Sequence, residues 1–89
     1  MIRKDLPIVN RLGLHARAAS HLVKTACDFK ARITVEKAGA SANAKSIMGL
    51  MLLAAAKGHT VTVTADGEDE VAALAAVEAL IRNRFHEEQ

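Results

Sequence analysis

The segment Leu12-Gly13-Leu14-His15-Ala16-Arg17 holds the residues best suited to chemistry in this chain. Its imidazole, on His15, lies where the hydrophobic pattern predicts that a loop becomes a helix. A helix start directs N–H groups and the positive end of the helix dipole toward any group that the ring carries. Arg17 can donate a fork of hydrogen bonds to phosphate oxygens. This pairing suits phosphoryl transfer better than proton transfer alone, although a histidine near a helix start is often only a cap or a surface residue.

The elements that must position this segment follow from the hydrophobic periodicity of the rest of the chain. Alternation with period two predicts strands, most clearly from Thr60 to Ala65, and apolar residues three and four apart predict helices. Because Pro7 cannot donate to a sheet ladder, we expect the first strand at an edge or with Pro7 facing outward. Predicted strands cover residues 5–9, 32–37, 40–43 and 60–65, and predicted helices cover residues 16–28, 46–53 and 69–85.

The alternation of these elements predicts one α+β domain that spans residues 1–89. The residues are 51% hydrophobic but only 2% aromatic, which implies a core of aliphatic side chains and alanine. Strands that are apolar on one face favour an open-faced βαββαβα sandwich. We therefore expect a mostly antiparallel four-stranded sheet with three helices on one face.

Composition argues against several classes of partner. Twelve basic and ten acidic residues give a net charge of +2, without the basic run that a nucleic-acid binder needs. The first residues lack the apolar region of a secretory signal, and the longest apolar stretch, Leu50 to Ala56, is too short to span a bilayer. We expect no membrane insertion and a cytoplasmic location. Cys27 has no second cysteine to pair with, and its apolar neighbours predict a buried structural thiol.

An independent enzyme is disfavoured by what accompanies His15 in the sequence. No nucleophile, base and orienting group occur together, and no glycine-rich phosphate loop is present. His21 follows six residues after His15, a spacing that does not bring two helical side chains together on a metal. His59 and His86 are expected to be solvated. We expect neither a metal nor a cofactor, and a monomer that exposes one face to successive partners.

Two segments, Gly13-Leu14-His15-Ala16-Arg17-Ala18-Ala19 and Asn43-Ala44-Lys45-Ser46-Ile47-Met48-Gly49-Leu50, occur in this order in a chain of this size. Together they resemble the histidine-containing phosphocarrier family, HPr, of the bacterial phosphoenolpyruvate-dependent phosphotransferase system, and the similarity covers essentially the whole chain. The resemblance implies that phospho-enzyme I phosphorylates His15 on Nδ1 and that an IIA-type domain removes the phosphoryl group. It also implies that Arg17 and the backbone N–H groups of Ala16 and Arg17 stabilise that group. Such a protein is a carrier, and catalysis depends on its partner enzymes.

Ser46 resembles the serine that a dedicated kinase/phosphorylase modifies in many members of this family. Its position before the short helix equally suits a plain N-cap, in which the hydroxyl accepts a hydrogen bond from the first turn. A phosphate there would add about −1.5 to −2 charges and disturb a surface that meets other proteins. The resemblance implies that this modification inhibits transfer from His15, and both roles of Ser46 stay open.

The short helix carries more apolar side chains than one buried stripe needs, so we expect some of them to be exposed. In the family that the chain resembles, this helix and the helix after His15 form the partner-binding face. We expect Ile47, Met48 and Met51 to contact partners, because methionine suits a surface that meets several partners in turn. Ser20 and Lys24 would lie at the rim. The alternative is that these side chains belong to the core.

Ala18 departs from the family pattern, which usually has proline at this position. Proline sets φ in the first helical turn, whereas alanine is the best helix former. We therefore expect the helix to persist with a less rigid entry.

The destination of the phosphoryl group has alternatives. Transfer to IIA-type domains in sugar uptake and its regulation is the first expectation. Residues 51–58 also look like the nitrogen-related paralogue NPr, which feeds a regulatory phosphorelay. A third alternative is a non-catalytic co-regulator controlled through phosphorylation of Ser46, which the presence of both His15 and Arg17 disfavours.

Overall fold

Four strands and three helices alternate in the structure, a computed structural model that describes residues 1–86. The order βαββαβα is the predicted one. The predicted domain of residues 1–89 extends past the described part, and residues 87–89 lie outside it. In chain order, the elements are β1 (Ile2–Pro7), α1 (Ala16–Cys27), β2 (Arg32–Lys37), β3 (Ala40–Asn43), α2 (Ile47–Leu52), β4 (Thr60–Asp66) and α3 (Glu70–Arg82), followed by a 3-10 turn at Arg84–His86.

The sheet has the strand order β1-β4-β2-β3, and every neighbouring pair is antiparallel. The register places Val35 opposite Val63, and Leu6 opposite Val61, so the buried residues of three strands lie side by side. These residues join Leu22 and other apolar residues of the helices in one hydrophobic core. The predicted sheet with three helices on one face is confirmed.

The first strand begins earlier than its sequence pattern indicated. It covers Ile2–Pro7 rather than residues 5–9. Lys4 hides the alternation, because a charged residue occupies an inward position opposite Val63. Its Nζ lies 2.9 Å from a carboxylate oxygen of Glu78 on α3, so the charge is paired at the margin of the helical layer. Pro7 is exposed on this edge strand, as predicted.

The last helix ends earlier than predicted. It stops at Arg82, and the chain then makes a tight turn in which Arg84, Phe85 and His86 all have positive φ. Phe85 is only 1% exposed, so its burial in the core offsets the strain of the left-handed backbone. Periodicity counted Phe85 as the next position on the apolar face of α3, and its side chain reaches the core by a different backbone path.

Cys27 is exposed, and the prediction of a buried thiol is wrong. It is the last residue of α1, where the neighbouring Ala26 takes the core position. Its side chain therefore falls on the outer face of the helix, although the neighbouring residues in the sequence are apolar.

Asp69 joins the start of α3 to the loop before β2. Its carboxylate accepts hydrogen bonds from the backbone N–H groups of Lys30 and Ala31, both at 2.8 Å. These bonds, first the one from Lys30, hold the pKa of the Asp69 carboxyl below its usual value of 3.8. The ionised side chain thus ties two loops together at one end of the sheet.

We expect Asp69→Asn to be less stable than the wild type at neutral pH, because an amide oxygen accepts these bonds less strongly than a carboxylate. A group whose folded pKa is lowered contributes stability above its unfolded pKa and loses it as the pH falls through the folded value. The difference between the two proteins should therefore shrink below about pH 4. Urea unfolding at about pH 7 and about pH 3 measures it. A difference that stays constant across this range would contradict the assignment.

Candidate functional site

The loop between β1 and α1 is held by a buried asparagine. Asn10 is completely buried, and its Nδ2 donates to the carbonyl of Gly13 at 2.7 Å. The N–H of Gly13 donates back to the carbonyl of Asn10 at 3.2 Å, and Gly13 has a φ of +65°. Leu14 is buried, and its N–H donates to the carbonyl of Ala55 at 2.8 Å. The chain therefore reaches His15 from a fixed turn.

We expect Asn10→Ala to lower the free energy of unfolding by about 1–3 kcal/mol, because it removes a buried donor and leaves the Gly13 carbonyl without that hydrogen bond. Chemical unfolding of both proteins measures the change. Asn83→Ala is the matched control, since Asn83 is exposed at the end of α3 and its replacement should change stability by less than about 0.5 kcal/mol. Equal effects of the two substitutions would show that Asn10 does not hold the turn.

His15 is the N-cap residue of α1, as predicted. Its backbone is extended, with φ −80° and ψ 179°, and its carbonyl accepts the first hydrogen bond of the helix from Ala19 at 2.8 Å. The amides of Ala16, Arg17 and Ala18 precede that bond and lie at the positive end of the helix dipole. The residue caps through its backbone rather than its side chain, and it is half-buried. His15 is therefore partly open to solvent at the end of the helix where the first amides make no hydrogen bond within the helix.

Arg17 and Ala18 are neighbours in the first turn of α1 but differ in exposure. Arg17 is exposed, so its guanidinium can move to a group carried by His15. Ala18 is completely buried and contributes to the core. The helix begins at Ala16 with alanine at this position, which confirms that it persists without the usual proline.

Ser46 caps α2, the short helix beside α1. Its Oγ accepts a hydrogen bond from the N–H of Gly49 at 3.1 Å, and the residue is half-buried. The predicted N-cap is confirmed. Phosphorylation of Ser46 would convert the same oxygen into a phosphate ester, and it stays a prediction.

The outer side of α2 presents a group of exposed apolar side chains, which we call the α2 surface. Met48 is 67% exposed and Leu52 is 80% exposed, whereas Leu50 is completely buried in the core. The alternative that all of these side chains belong to the core is wrong. Several exposed apolar residues on so short a helix indicate a surface that meets another molecule. The α2 surface consists of Ile47, Met48, Met51 and Leu52.

The predicted rim residues lie on α1, and one further apolar residue is exposed in the loop before His15. Lys24 is exposed and Ser20 is half-buried, both on α1, which packs against α2. Leu12, in the loop before His15, is 65% exposed. Sequence analysis did not single out Leu12 or Leu52, because an isolated leucine carries no signal that separates a core position from a contact surface. Contacts of any of these residues with partners stay predictions.

The other histidines have contacts of their own. The rings of His21 and His86 meet edge to face, with centroids 5.6 Å apart. His59 and His86 are exposed, as predicted, yet the Nδ1 of His59 accepts a hydrogen bond from the N–H of Ala56 at 3.0 Å. No group of three or more histidine, cysteine or acidic residues within residues 1–86 could hold a metal ion. None of the helices between residues 1 and 86 has the length and apolar character to cross a membrane.

This arrangement can hold an anionic group without a metal. A ring nitrogen supplies a nucleophile, three backbone N–H groups and the helix dipole stabilise negative charge, and an exposed guanidinium can neutralise phosphate oxygens. The chemistry that fits this arrangement is acceptance of a phosphoryl group by the ring nitrogen.

Comparison with known proteins finds relatives that match almost the whole chain. The family described as PTS HPr component phosphorylation site matches residues 2–83. Phosphocarrier protein HPr of Xylella fastidiosa is 48% identical over 88 residues, which cover 99% of both chains. Phosphocarrier protein NPr of Shewanella violacea is 41% identical over 86 residues, which cover 97% of this chain and 94% of that one.

Solved structures show the same architecture. HPr-C-His from Thermoanaerobacter tengcongensis matches with a TM-score of 0.95 and 44% identity, and the match covers 100% of both chains. An HPr dimer from the same organism matches with a TM-score of 0.78 and 44% identity over 98% of this chain and 100% of that one. A dimer among the similar structures does not fit well with the monomer expected from the sequence.

Proposed function

This chain belongs to the HPr phosphocarrier family of the bacterial phosphotransferase system, and on that premise we propose that His15 accepts a phosphoryl group from phospho-enzyme I and passes it to IIA-type domains. The observation that carries the proposal is the position of His15 as the N-cap of α1, half-exposed and beside three helix-start amides. Relatives of this chain from Xylella fastidiosa and Cupriavidus necator are named phosphocarrier protein HPr.

The transfer step needs one neutral ring nitrogen. The lone pair of His15 Nδ1 forms a bond to phosphorus while the bond between phosphorus and the donor protein breaks, and the electron pair of that bond stays with the donor. The proton of the ring stays on Nε2. In the onward step the bond between Nδ1 and phosphorus breaks, its electron pair returns to the ring, and the phosphoryl group forms a bond to the IIA-type domain. No metal or cofactor takes part in this proposal.

The surroundings of His15 stabilise the phosphorylated ring only moderately. The amides of Ala16, Arg17 and Ala18 attract the negative charge, and the Arg17 guanidinium can approach it from solvent. A carrier needs this balance, because a group held by many buried donors would transfer onward slowly. The half-exposed setting of His15 favours rapid exchange between two partner proteins.

The experiment that tests this function is incubation with enzyme I and phosphoenolpyruvate, followed by intact mass measurement. We expect one acid-labile phosphoryl group on the chain, and we expect its loss when a IIA-type domain is added. A sample without phosphoenolpyruvate is the control. A chain that takes up no phosphoryl group under these conditions, or takes up an acid-stable one, would refute the proposal.

We expect Arg17→Ala to slow phosphoryl uptake by about tenfold, the loss that corresponds to about 1.4 kcal/mol of charge-assisted hydrogen bonding to the phosphoryl oxygens. Initial rates with phospho-enzyme I in rapid-quench experiments measure the effect. Arg32→Ala removes the same charge from an exposed position on β2 and should leave the rate close to that of the wild type. If both substitutions slow uptake equally, Arg17 acts only through the net charge of the protein and makes no specific contact with the phosphoryl group.

Two partner branches fit the chain, and the sugar branch is the one we propose. Similarity to phosphocarrier protein HPr is greater than similarity to phosphocarrier protein NPr, at 48% against 41% identity. Transfer rates from the phosphorylated chain to a sugar-specific IIA domain and to a nitrogen-related IIA domain would separate the branches. Faster transfer to the nitrogen-related domain would assign the chain to the regulatory phosphorelay.

Ser46 supports a regulatory role in addition to the carrier role. Its Oγ caps α2 and lies at one end of the α2 surface, so a phosphate there would place negative charge where partners are proposed to dock. We propose that a kinase/phosphorylase acting on Ser46 would slow uptake at His15. A co-regulator without any phosphoryl transfer is the weaker alternative, because the site geometry of His15 would then serve no purpose.

A further inference from the structure

His59 connects the loop after α2 to the loop that carries His15. Its carbonyl accepts a hydrogen bond from the N–H of Ile8 at 2.9 Å, and the N–H of Gly58 donates to the carbonyl of Ile8 at 3.0 Å. Its Nδ1 accepts from the N–H of Ala56 at 3.0 Å. The residue before Ala56, Ala55, is the one whose carbonyl accepts from Leu14 at 2.8 Å. The His59 ring therefore holds Ala56, which is next to the residue whose carbonyl supports the His15 loop.

The bond from Ala56 to His59 exists only while the imidazole is neutral. A ring nitrogen that accepts a hydrogen bond must keep its lone pair, which places the ring proton on Nε2. Protonation of Nδ1 turns the acceptor into a donor. The ring N–H of His59 and the backbone N–H of Ala56 would then face each other and repel. Histidine is the side chain whose charge ordinarily changes between about pH 5 and about pH 8.

The two loops that meet at His59 carry basic residues and no acidic ones. The loop before α1 contributes Arg11 and His15, and Lys57 lies beside His59 on its own loop. Lys37 of β2 donates through Nζ to the carbonyl of Ala54 at 3.1 Å. Residues 8–15 and 54–60 contain no aspartate or glutamate.

The charges of β1 and its partner strand are also engaged elsewhere. Asp5 accepts a hydrogen bond from the Thr62 hydroxyl at 2.6 Å, on the outward face of the sheet. Lys4 pairs with Glu78 of α3. A charged His59 ring would thus gain no carboxylate from the two loops and would lose its contact with Ala56.

We propose that His59 is a positioning residue whose protonation state tunes the loop beneath His15. The inference rests on the proposed function of His15 and extends it. The neutral ring holds Ala56, and through the neighbouring Ala55 carbonyl it keeps Leu14 in place at the entry to α1. The protonated ring no longer accepts from Ala56, which leaves the bond from the His59 N–H to the Ala56 carbonyl, at 2.9 Å, to hold this turn, so the Ala55 carbonyl and the His15 loop move more freely and phosphoryl uptake slows.

The structural half of this proposal is tested without any partner protein. Amide signals of Ala56 and Leu14 in the unphosphorylated chain are followed by NMR from about pH 8 to about pH 5.5. We expect both signals to shift with the midpoint of the His59 ring. In His59→Asn the amide oxygen accepts from Ala56 without titrating, so the Ala56 shift should disappear. An Ala56 signal that ignores the His59 titration in the wild type would overturn the proposal.

The kinetic half compares variants at each pH with the same phospho-enzyme I, so that the pH dependence of the donor and of His15 cancels. We expect His59→Leu to take up phosphoryl groups about threefold more slowly than His59→Asn, the effect of one exposed hydrogen bond. The wild type should match the asparagine variant at about pH 8 and approach the leucine variant at about pH 5.5. His86→Asn, an exposed histidine outside the two loops, should follow the wild type.

The outcomes of these two experiments are distinct. A constant ratio of His59→Asn to wild type across the pH range would overturn the positioning role, as would equal rates for His59→Asn and His59→Leu. If no protein in the series takes up a phosphoryl group, the proposed function of His15 fails, and the amide titration alone then decides whether His59 holds the loop.

Discussion

Replacing His15 with glutamine is expected to abolish phosphoryl uptake from phospho-enzyme I. Glutamine retains a polar, uncharged side chain but has no nucleophilic ring nitrogen, so no bond to phosphorus can form. The fold should persist, because His15 caps α1 through its carbonyl and extended backbone rather than through its side chain. Circular dichroism and urea unfolding check the fold, and intact mass measurement checks the uptake. His15→Ala should likewise fail to take up a phosphoryl group.

The other histidines provide matched controls for this substitution. His21→Gln and His86→Gln each remove one ring from the edge-to-face pair of His21 and His86. Both variants should take up one phosphoryl group at a rate close to that of the wild type. Uptake of an acid-labile group by His15→Gln, or its loss in a control, would place the acceptor elsewhere.

Gly13→Ala is expected to lower the free energy of unfolding by about 3 kcal/mol or more, because strain and steric overlap act together. Gly13 has a φ of +65°, which favours glycine. An alanine Cβ there would overlap the carbonyl oxygen of Ala55 and lie 2.8 Å from the Cα of Ala56. The backbone must shift to relieve this overlap, which breaks the bond between Leu14 and Ala55 that positions His15. Uptake of the phosphoryl group by the folded protein should also slow.

Gly58→Ala separates backbone strain from steric overlap, the two causes of the stability loss expected in Gly13→Ala. Gly58 also has a positive φ, of +92°, but no atom of the described part of the chain lies within 4 Å of an alanine Cβ at this position. Its substitution should cost only the backbone strain, about 1–2 kcal/mol. Equal losses of stability in the two variants would show that the approach of Gly13 to the Ala55 segment is not tight.

Much of the fold follows from short-range patterns in the sequence. The alternation of Val61, Val63 and Ala65 identifies β4, whose register then brings β1 and β2 to its two sides. The turn at Ala38 and Gly39 fixes the hairpin of β2 and β3, both residues having positive φ. These elements could be predicted because the residues that decide them are adjacent in the chain.

The places of His15, Arg17 and Ser46 in the fold could be predicted for a similar reason. A capping position and the spacing of His15 and Arg17 are local properties, and so is the role of Ser46 as the cap of α2. The exposure of Met48 could be anticipated because a six-residue helix cannot bury so many apolar side chains. The resemblance to a known family supplied the transferred group and the partners, which residue chemistry alone does not specify.

The errors arose where contacts between distant segments decide the structure. Lys4 interrupts the apolar pattern of β1 and is accommodated by Glu78, 74 residues later. The left-handed turn that ends α3 is stabilised by the burial of Phe85 against the core. Cys27 faces outward because helix rotation is set by the packing of α1. The periodicity of the sequence carries no information about these contacts between distant residues.

The link between His59 and the His15 loop shows the same limit at the site. His59 precedes a strand in the sequence, which predicts a solvated residue, and it is indeed exposed. Its ring nevertheless accepts from Ala56, next to the carbonyl that supports Leu14. The contact depends on how two loops meet, which only the folded structure reveals.

The measurement that tests the central claim most directly is phosphorus–nitrogen NMR of the phosphorylated chain, with histidine rings labelled in ¹⁵N. The account predicts a single phosphorus signal coupled to Nδ1 of His15, which disappears when a IIA-type domain is added. Coupling to the ring of His21, His59 or His86, or a phosphorus signal without coupling to any nitrogen, would contradict it.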